Sequence, residues 1–532
     1  MSDVYVRKAT GLVRAFSWRD IFALNTLCLN IGVVLALSVL SGAQMFPGAN
    51  MAATVTLGMI LCIFNGMTYA LMAAAMPRSG GDYVWVSHII SPVLGFVISW
   101  AFVANVMFAI GMYAGMTANF AVSATFVTLG AIMNQSWLTD IGSAAATANW
   151  TFLIGTFAIW ISVAVFTLGT RAIRWFLWAL FIPSMLGVLI GLAVFLTTSH
   201  ETFVSLFNSY MSTYTGSPDS YNLILATAKE AGATFPVATI GATVGALPLG
   251  YWAYVGFSFS AYYGGEVKEP GRSQPLGIVS ALLVAWAVYA AMFWKFYDTV
   301  GWDFTNAISY LYFMTPDRYN LPAPPTLNFF VGLCTSNPVA NILIGLSFIC
   351  WIFMLVGPNF LYTSRCMFSW AFNKVLPEAL AKVDRRGSPW VTVLISGIGA
   401  EIFLMLYAYT TLLNLVNYTI TFCIVFFIGG LSAILFPYRS KELFEASPGL
   451  VKKRVAGIPV IVIAGIINEI LFGFSIVFSL INPAFAGPSG ASAYGLITAI
   501  FISGLVVYAV SYALRKKQGI DLGLVWKEVP PE

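Results

Sequence analysis

The chain has 532 residues, of which 59% are hydrophobic and only 9% are charged. Ordinary soluble domains carry roughly 25% charged residues, so this composition excludes a soluble protein and indicates one embedded in a membrane. The net charge of +5 comes from basic residues scattered over the loops, unlike the clustered basic surfaces that bind nucleic acid. The six cysteines and two histidines show no ligand spacing, so we expect no metal, cofactor or disulfide.

Apolar runs near or above the ~20 residues that cross a bilayer follow one another along the chain. They predict an all-α integral membrane protein with about twelve transmembrane helices. The segment before the first run lacks a short apolar core with a cleavage site, so no removable signal peptide is expected. The predicted spans are about 21–43, 51–75, 92–126, 150–168, 174–197, 243–264, 276–297, 337–361, 390–409, 412–436, 456–480 and 492–514.

The basic residues are distributed unequally over the two faces of this predicted membrane domain. An even number of spans places both termini on one side, and every lysine and arginine except Lys229, Lys295 and Arg318 falls on that side. Cytoplasmic loops carry the excess of Lys and Arg. We therefore predict a multi-pass protein of the cell membrane with both termini in the cytoplasm.

The first and sixth spans are interrupted at their centres by residues that suit a continuous helix poorly. The interruptions are Asn30-Ile31-Gly32-Val33 and Gly256-Phe257-Ser258. Unsatisfied backbone groups are very costly in lipid, so a break is tolerated only where it is buried in protein or lines a cavity. Breaks at matching positions of two inverted repeats point to the binding site of a secondary transporter.

Three strings stand in register along the chain. Residues 76–87 read MPRSGGDYVWVS, residues 265–270 read GEVKEP after the second break, and Ser364-Arg365 precedes Asn373-Lys374-Val375-Leu376-Pro377. Together they resemble the amino acid–polyamine–organocation (APC) superfamily of permeases over nearly the whole chain. The resemblance implies a leucine-transporter-like core of 5+5 inverted repeats, two C-terminal helices and alternating access.

The resemblance also implies a division of the chain and a binding site. Residues 1–20 would form a cytoplasmic segment, 21–197 and 243–436 the two repeats, 198–242 an extracellular loop, 437–455 a cytoplasmic loop, 456–514 the last two helices and 515–532 a cytoplasmic tail. Asn30, Ile31, Gly32 and Val33 match an unwound segment whose amides bind a substrate carboxylate. Tyr254, Val255, Gly256 and Phe257 match one whose carbonyls receive the amino group, with Ser258 where many relatives carry glutamate.

Several of these residues also fit a purely structural role. Gly32 and Gly256 could serve close helix packing alone, and Glu401 and Glu469 are expected to be hydrogen-bonded rather than to couple an ion. Trp252 and Trp351 could frame the substrate, and the bend at Gly357-Pro358-Asn359 could supply ligands or be a simple kink. The connections 198–242 and 298–336 are long enough to fold over the membrane face, and the second is expected to be packed.

The leading interpretation is an amino acid permease, with neutral or apolar substrates favoured because no acidic residue lies near either break. It would work with a proton or sodium ion, or with a counter-substrate. A transporter of polyamines or other organic amines and a transporter-like nutrient sensor are the alternatives. An enzyme is not indicated, because no nucleophile–base pair appears. We expect Gly256→Leu to insert normally but to fill the site.

Overall fold

The computed structural model describes residues 12–416, 418–481 and 490–526. Within them the chain is almost entirely helical, with one two-stranded ribbon formed by β1 (Arg454–Val455) and β2 (Ile458–Pro459). The helices of the first half are α1 Trp18–Leu29, α2 Ile31–Met45, α3 Met51–Ala75, α4 Asp82–Ile89, α5 Pro92–Met116, α6 Ser123–Met133, α7 Ser136–Ala145, α8 Ala148–Thr167, α9 Thr170–Thr197, α10 His200–Thr215 and α11 Ser220–Glu230.

The second half continues the same architecture. Its helices are α12 Ile240–Gly245, α13 Leu247–Trp252, α14 Pro270–Val300, α15 Trp302–Met314, α16 Leu327–Leu333, α17 Pro338–Met354, α18 Val356–Phe372, α19 Trp390–Tyr409, α20 Tyr418–Arg439, α21 Lys441–Ala446, α22 Gly449–Lys452, α23 Val460–Ile481, α24 Ala491–Lys517 and α25 Leu522–Val525. A π-helical turn, Thr117–Val122, joins α5 to α6.

The described residues contain eleven helical segments long and apolar enough to cross a membrane, rather than twelve. The missing one is the sixth predicted span, 243–264. Here α12 and α13 are one or two turns long, and the chain then continues through turns into the 3₁₀ helices Phe259–Tyr262 and Gly264–Glu266. The break lies where the sequence predicts it, but it is longer than predicted and occupies about half of the span.

Both long connections are folded rather than open. The first holds α10 and α11, and the second holds α15 and α16. Phe304 and Ile308 of α15 are fully buried, and the Trp302 indole donates to the Pro236 carbonyl at 2.8 Å. The Ser309 hydroxyl donates to the Leu40 carbonyl at 2.6 Å. The second connection is therefore anchored onto α2 and onto the first connection.

The first break is confined to Asn30. This residue is left-handed, with φ of 47° and ψ of 64°, a conformation that asparagine adopts more readily than most side chains. Its side-chain oxygen accepts from the Val33 N–H at 2.9 Å and so caps α2. Ile31, Gly32 and Val33, which the sequence predicts to be unwound, form the first turn of α2 because this cap stabilises it.

The two broken spans cross with their backbones in contact. Gly256 has a φ of +114°, and a Cβ built on it would lie 2.3 Å from the carbonyl oxygen of Cys28. The Tyr289 hydroxyl of α14 lies 3.2 Å from the Leu29 carbonyl and 3.1 Å from the Ala253 carbonyl. One buried phenol thus supplies a shared donor to a carbonyl of each break.

We call the face of the membrane domain at which residues 12–17 lie the N-terminal face. A buried ion pair connects three parts of the chain there. Arg365 of α18 and Glu266 are both fully buried and form a two-pronged pair, with N–O distances of 2.8 and 3.1 Å. The Glu266 carbonyl also accepts from the N–H groups of Ala15 and Phe16. The end of the sixth span, α18 and the N-terminal segment therefore meet at one point.

We predict that Gly256→Ala destabilises the fold. The left-handed backbone alone costs about 1–3 kcal/mol for a residue with a side chain, and the Cβ would also displace the Cys28 carbonyl. Gly245→Ala is the matched control, because nothing lies within 4 Å of its Cβ position. Thermal unfolding in detergent should show a lower midpoint for Gly256→Ala only. Equal midpoints for the two variants would contradict the close backbone contact between Gly256 and Cys28. Because of this contact, we now expect Gly256→Leu to fold poorly, rather than to insert normally and fill the site.

A second prediction concerns the buried ion pair. Arg365→Met should lower the free energy of unfolding by about 3–5 kcal/mol, because it strands a buried carboxylate. The double variant Arg365→Met, Glu266→Gln should recover most of that loss in the same unfolding assay. As a control, Lys374→Met removes a pair whose Glu378 partner is largely exposed, and should cost no more than about 1 kcal/mol. Equal losses in the single and double variants would show that charge burial is not the cause.

Candidate functional site

A cavity lies where the two broken spans cross. The space open to the centre of a water molecule is about 60 Å³, several times the ~10–15 Å³ that one water needs. Of the nine residues predicted from sequence in the two breaks, four line it: Asn30, Val33, Val255 and Gly256. The other lining residues are Cys28, Leu29, Val34, Tyr113, Trp252, Phe259, Leu355, Pro358, Asn359 and Tyr418.

The other five break residues do not line the cavity. Ile31 is fully buried in the core. A Cβ on Gly32 would lie 2.4 Å from the Trp351 ring, so this glycine does serve close packing, here against α17. The Tyr254 hydroxyl donates to the Val55 carbonyl at 2.9 Å.

Phe257 and Ser258 point away from the crossing into the protein. The Phe257 ring packs edge-on against Tyr69 and Phe426, with ring centroids 5.7 Å apart in both cases. Ser258 is fully buried, and its hydroxyl has no hydrogen-bond partner among the described residues. These two residues connect the break to its surroundings and do not form the cavity wall.

The start of α2 adjoins the cavity through Asn30 and Val33 and has unpaired donors. The Asn30 side-chain amide donates to the Trp351 carbonyl at 2.6 Å while its oxygen caps Val33. The N–H groups of Ile31 and Gly32 make no hydrogen bond to any described residue. First-turn N–H groups point out of the start of a helix and carry its partial positive charge. The start of α2 beside the cavity therefore suits an anionic group.

The opposite wall, contributed by the sixth span, presents acceptors. The carbonyls of Tyr254 and Val255 receive no hydrogen bond from the described residues, because the helical ladder has ended at Trp252. None of the fourteen lining residues carries a charge. The arrangement can hold a small molecule with an anionic and a cationic group next to each other and an uncharged side chain.

Some of these residues were predicted from sequence and others were not. The Gly357-Pro358-Asn359 bend does reach the cavity, through Pro358 and Asn359. Trp252 lines the cavity, whereas Trp351 is fully buried and donates to the Ser184 carbonyl at 3.1 Å. Tyr113 and Tyr418 also line the cavity but could not be identified from the sequence, because each is one aromatic residue within an apolar run.

Glu401 and Glu469, the two carboxyls within predicted spans, lie outside the cavity lining. Thr156 donates to Glu401 at 2.5 Å, between α8 and α19. The Asn468 amide lies 3.4 Å from Glu469 and also donates to the Phe426 carbonyl of α20. Both glutamates are hydrogen-bonded, and neither contributes to the cavity wall.

Known proteins similar to this chain are transporters. It is 24% identical to the branched-chain amino acid permease BcaP of Bacillus subtilis, over 83% of this chain and 85% of that protein. It is 22% identical to BcaP of Lactococcus lactis, over 50% of this chain and 53% of that protein, so the match spans about half of the relative. It is also 22% identical to the glutamate/serine transporter AimA of Bacillus subtilis, over 66% of this chain and 58% of that protein.

The family profile described as amino acid permease matches residues 20–508, which includes both broken spans and every residue of the cavity wall. The match agrees with the resemblance seen in the three sequence strings and with the eleven helical segments of the described residues that are long and apolar enough to cross a membrane. The chain therefore belongs to the amino acid permease family of the APC superfamily, a family of transporters rather than enzymes.

Proposed function

We propose that this chain is a secondary transporter that moves neutral amino acids across the cell membrane by alternating access. The observation that carries the proposal is the cavity between the two broken spans, which has no charged residue in its wall. Beside it lie N–H groups of the first break and carbonyls of the second that have no hydrogen-bond partner among the described residues. An α-amino acid has an anionic and a cationic group on one carbon, which matches these donors and acceptors.

The substrate's main chain would be recognised by backbone groups. Its carboxylate would accept hydrogen bonds from the N–H groups of Ile31 and Gly32, where the start of α2 favours negative charge. Its ammonium group would donate to the carbonyls of Tyr254 and Val255. Asn30 and Gly256 would form the site indirectly, since they produce the two breaks, and Val33 and Val255 would line it.

The substrate's side chain would meet a mainly apolar wall. Val33, Val34, Val255, Phe259 and Leu355 are the apolar contributors. A polyamine would need acidic partners or aromatic faces. The wall contains no acid, although Tyr113, Trp252, Phe259 and Tyr418 do contribute aromatic rings, so uptake competition by amines decides between the two substrate classes. Two relatives bear the name branched-chain amino acid permease, which agrees with an aliphatic substrate.

The orientation and driving force complete the proposal. Since the predicted topology places nearly all basic residues on the N-terminal face, that face would be cytoplasmic. Transport would be coupled to a proton or sodium ion or to a counter-substrate, and no cofactor is needed. The long connections holding α10, α11, α15 and α16 would then lie outside the cell.

Uptake into proteoliposomes containing the purified chain tests this function. A panel of labelled amino acids and amines would be offered with proton and sodium gradients imposed separately, with and without unlabelled amino acid inside. We expect uptake of neutral aliphatic amino acids and no competition by amines that lack a carboxylate. Competition by such amines would favour the amine transporter, and binding without any uptake or exchange would favour a sensor.

We also predict that Val33→Leu changes substrate selection. One added methylene in the wall should weaken leucine uptake by about tenfold or more, because the cavity has little spare volume. Alanine uptake should fall much less, so the leucine-to-alanine ratio of kcat/KM is the measurement. Leu37→Ile, at a partly buried residue of α2 outside the cavity lining, is the control and should leave the ratio unchanged. An unchanged ratio in Val33→Leu would remove Val33 from the substrate wall.

A further inference from the structure

Asp82 is a fully buried carboxyl that the cavity does not use. It begins α4 within the string MPRSGGDYVWVS, between the second and third spans. The hydroxyls of Tyr262 and Tyr69 donate to its Oδ2 at 2.7 and 3.1 Å. Its Oδ1 is buried with no hydrogen-bond partner among the described residues, and no described Lys, Arg or His lies within 4 Å of the carboxyl.

The surroundings favour a neutral carboxylic acid over a carboxylate. A buried charge without a counter-charge is costly, and burial raises the pKa of Asp82 to about 7 even though the bonds from Tyr262 and Tyr69 lower it. No described cation reaches the carboxyl: Arg439 of α20 donates instead to the Ile89 carbonyl at the other end of α4, at 3.3 Å. The titratable groups that face it are Tyr69 of α3, Tyr262 of the 3₁₀ helix, and Tyr362 and Cys366 of α18, while Glu469 of α23 acts on Tyr69.

The same surroundings argue against a bound sodium ion. Sodium, like other hard cations, requires several oxygen acceptors around it. Asp82 instead receives two O–H donors, and α20 contributes the Phe426 ring, stacked on Tyr69 at 4.7 Å, and Gly429, whose Cβ position lies 3.4 Å from the Asp82 Cβ. The described part of the chain contains no group of three or more metal-ligating side chains. A proton is the cation that this site fits.

Asp82 is connected to the second break by two short paths. Phe257, the residue after Gly256, packs against the Tyr69 ring that donates to Asp82. Tyr262, six residues after Gly256, donates to Asp82 directly. Any movement of the second half of the sixth span relative to α3 and α4 would therefore change the hydrogen bonds and the hydration of this carboxyl.

We propose that Asp82 is a proton-binding site linked to the opening of the N-terminal face. In the closed arrangement seen here the carboxyl holds its proton. When the sixth span moves away and water enters, the Asp82 O–H bond breaks and the proton passes to water, leaving a hydrated carboxylate. This inference deepens the proposed transport function, since it names a proton site for that cycle, but its conformational part can be tested without any substrate.

The direction of the pH dependence follows from linkage. A hydrated aspartate has a pKa of about 3.9, whereas the buried one titrates near 7. Opening therefore releases a proton between these two values, so the open-to-closed ratio should rise about tenfold per pH unit as the pH increases toward 7. Above about 7 the closed state is also ionised, and the ratio should level off.

Labelling of Cys366 provides a direct readout of this opening. Its thiol faces Asp82 and is fully buried, so N-ethylmaleimide can reach it only when the region opens. The purified full-length chain in detergent would be labelled from pH 5.5 to 8.5, and modification at Cys366 would be quantified by peptide mass spectrometry. Asp82→Asn reports the pH dependence of thiol chemistry alone, because an amide does not ionise.

The ratio of Cys366 labelling rates, wild type over Asp82→Asn, should rise with pH and flatten near 7. Tyr262→Phe removes a hydrogen-bond donor that stabilises the Asp82 carboxylate. In this variant the pH at which Cys366 labelling levels off should therefore be about one unit higher than in the wild type. This shift keeps the test decisive if Asp82→Asn fails to fold. Glu401→Gln is the matched control for losing a buried carboxyl and should follow the wild-type profile.

Parallel pH profiles of wild type and Asp82→Asn would overturn the proposal, as would labelling of Tyr262→Phe that levels off at the same pH as the wild type or at a lower one. The uptake panel separates this failure from failure of the proposed function. Normal amino acid uptake with parallel labelling profiles would remove Asp82 alone. The expected labelling profiles without uptake of any amino acid would leave the proton site standing and reject the transporter.

Discussion

The backbone contact between Gly256 and the end of α1 is the constraint on which the rest of the site depends. Two interrupted helices can approach this closely only if one contributes a residue without a side chain, in a conformation that other residues avoid. The crossing encloses one cavity lined by Asn30 and Val33 of the first break and by Val255 and Gly256 of the second. It also lets the Tyr289 hydroxyl reach a carbonyl of each span, so polar backbone deep in the membrane domain is satisfied or kept for a ligand.

The proposed recognition through backbone groups would explain how one architecture can serve different substrates. Neither the donors nor the acceptors depend on a particular side chain for their polarity, because both arise where helical hydrogen bonding stops. The side chains in the wall are then left to select the variable part of the substrate. In this chain they are uncharged and mainly apolar, which is the physical basis for proposing neutral aliphatic amino acids. The buried Arg365–Glu266 pair and the Asp82 site lie on the N-terminal side of the same span, where they can respond when it moves.

Much of this could be predicted from sequence because bilayer physics is restrictive. Apolar runs located eleven spans, and residues unsuited to a helix located both breaks. The extent of each break was not predictable in the same way. The Asn30 side chain caps α2 through one local hydrogen bond and keeps Ile31 to Val33 helical, whereas the turns and 3₁₀ helices after Trp252 occupy about half of the sixth predicted span.

Tertiary contacts account for the residues that sequence reasoning placed differently. Gly32 faces Trp351 instead of the cavity, and Phe257 packs on Tyr69. Tyr113 and Tyr418 reach the cavity from spans whose apolar pattern marks no inward face. Asp82 stood in a string that identified the family, yet its burial between two tyrosine hydroxyls becomes evident only when α3, α4 and the sixth span are placed together.

The central claim is that backbone groups of the two breaks bind the main chain of an amino acid. An experimental structure of the protein with bound leucine tests it most directly. The account predicts a carboxylate oxygen within about 2.7–3.2 Å of the Ile31 and Gly32 nitrogens and the ammonium group against the Tyr254 and Val255 carbonyls. A leucine bound elsewhere, or bound here with its carboxylate toward the sixth span, would contradict it.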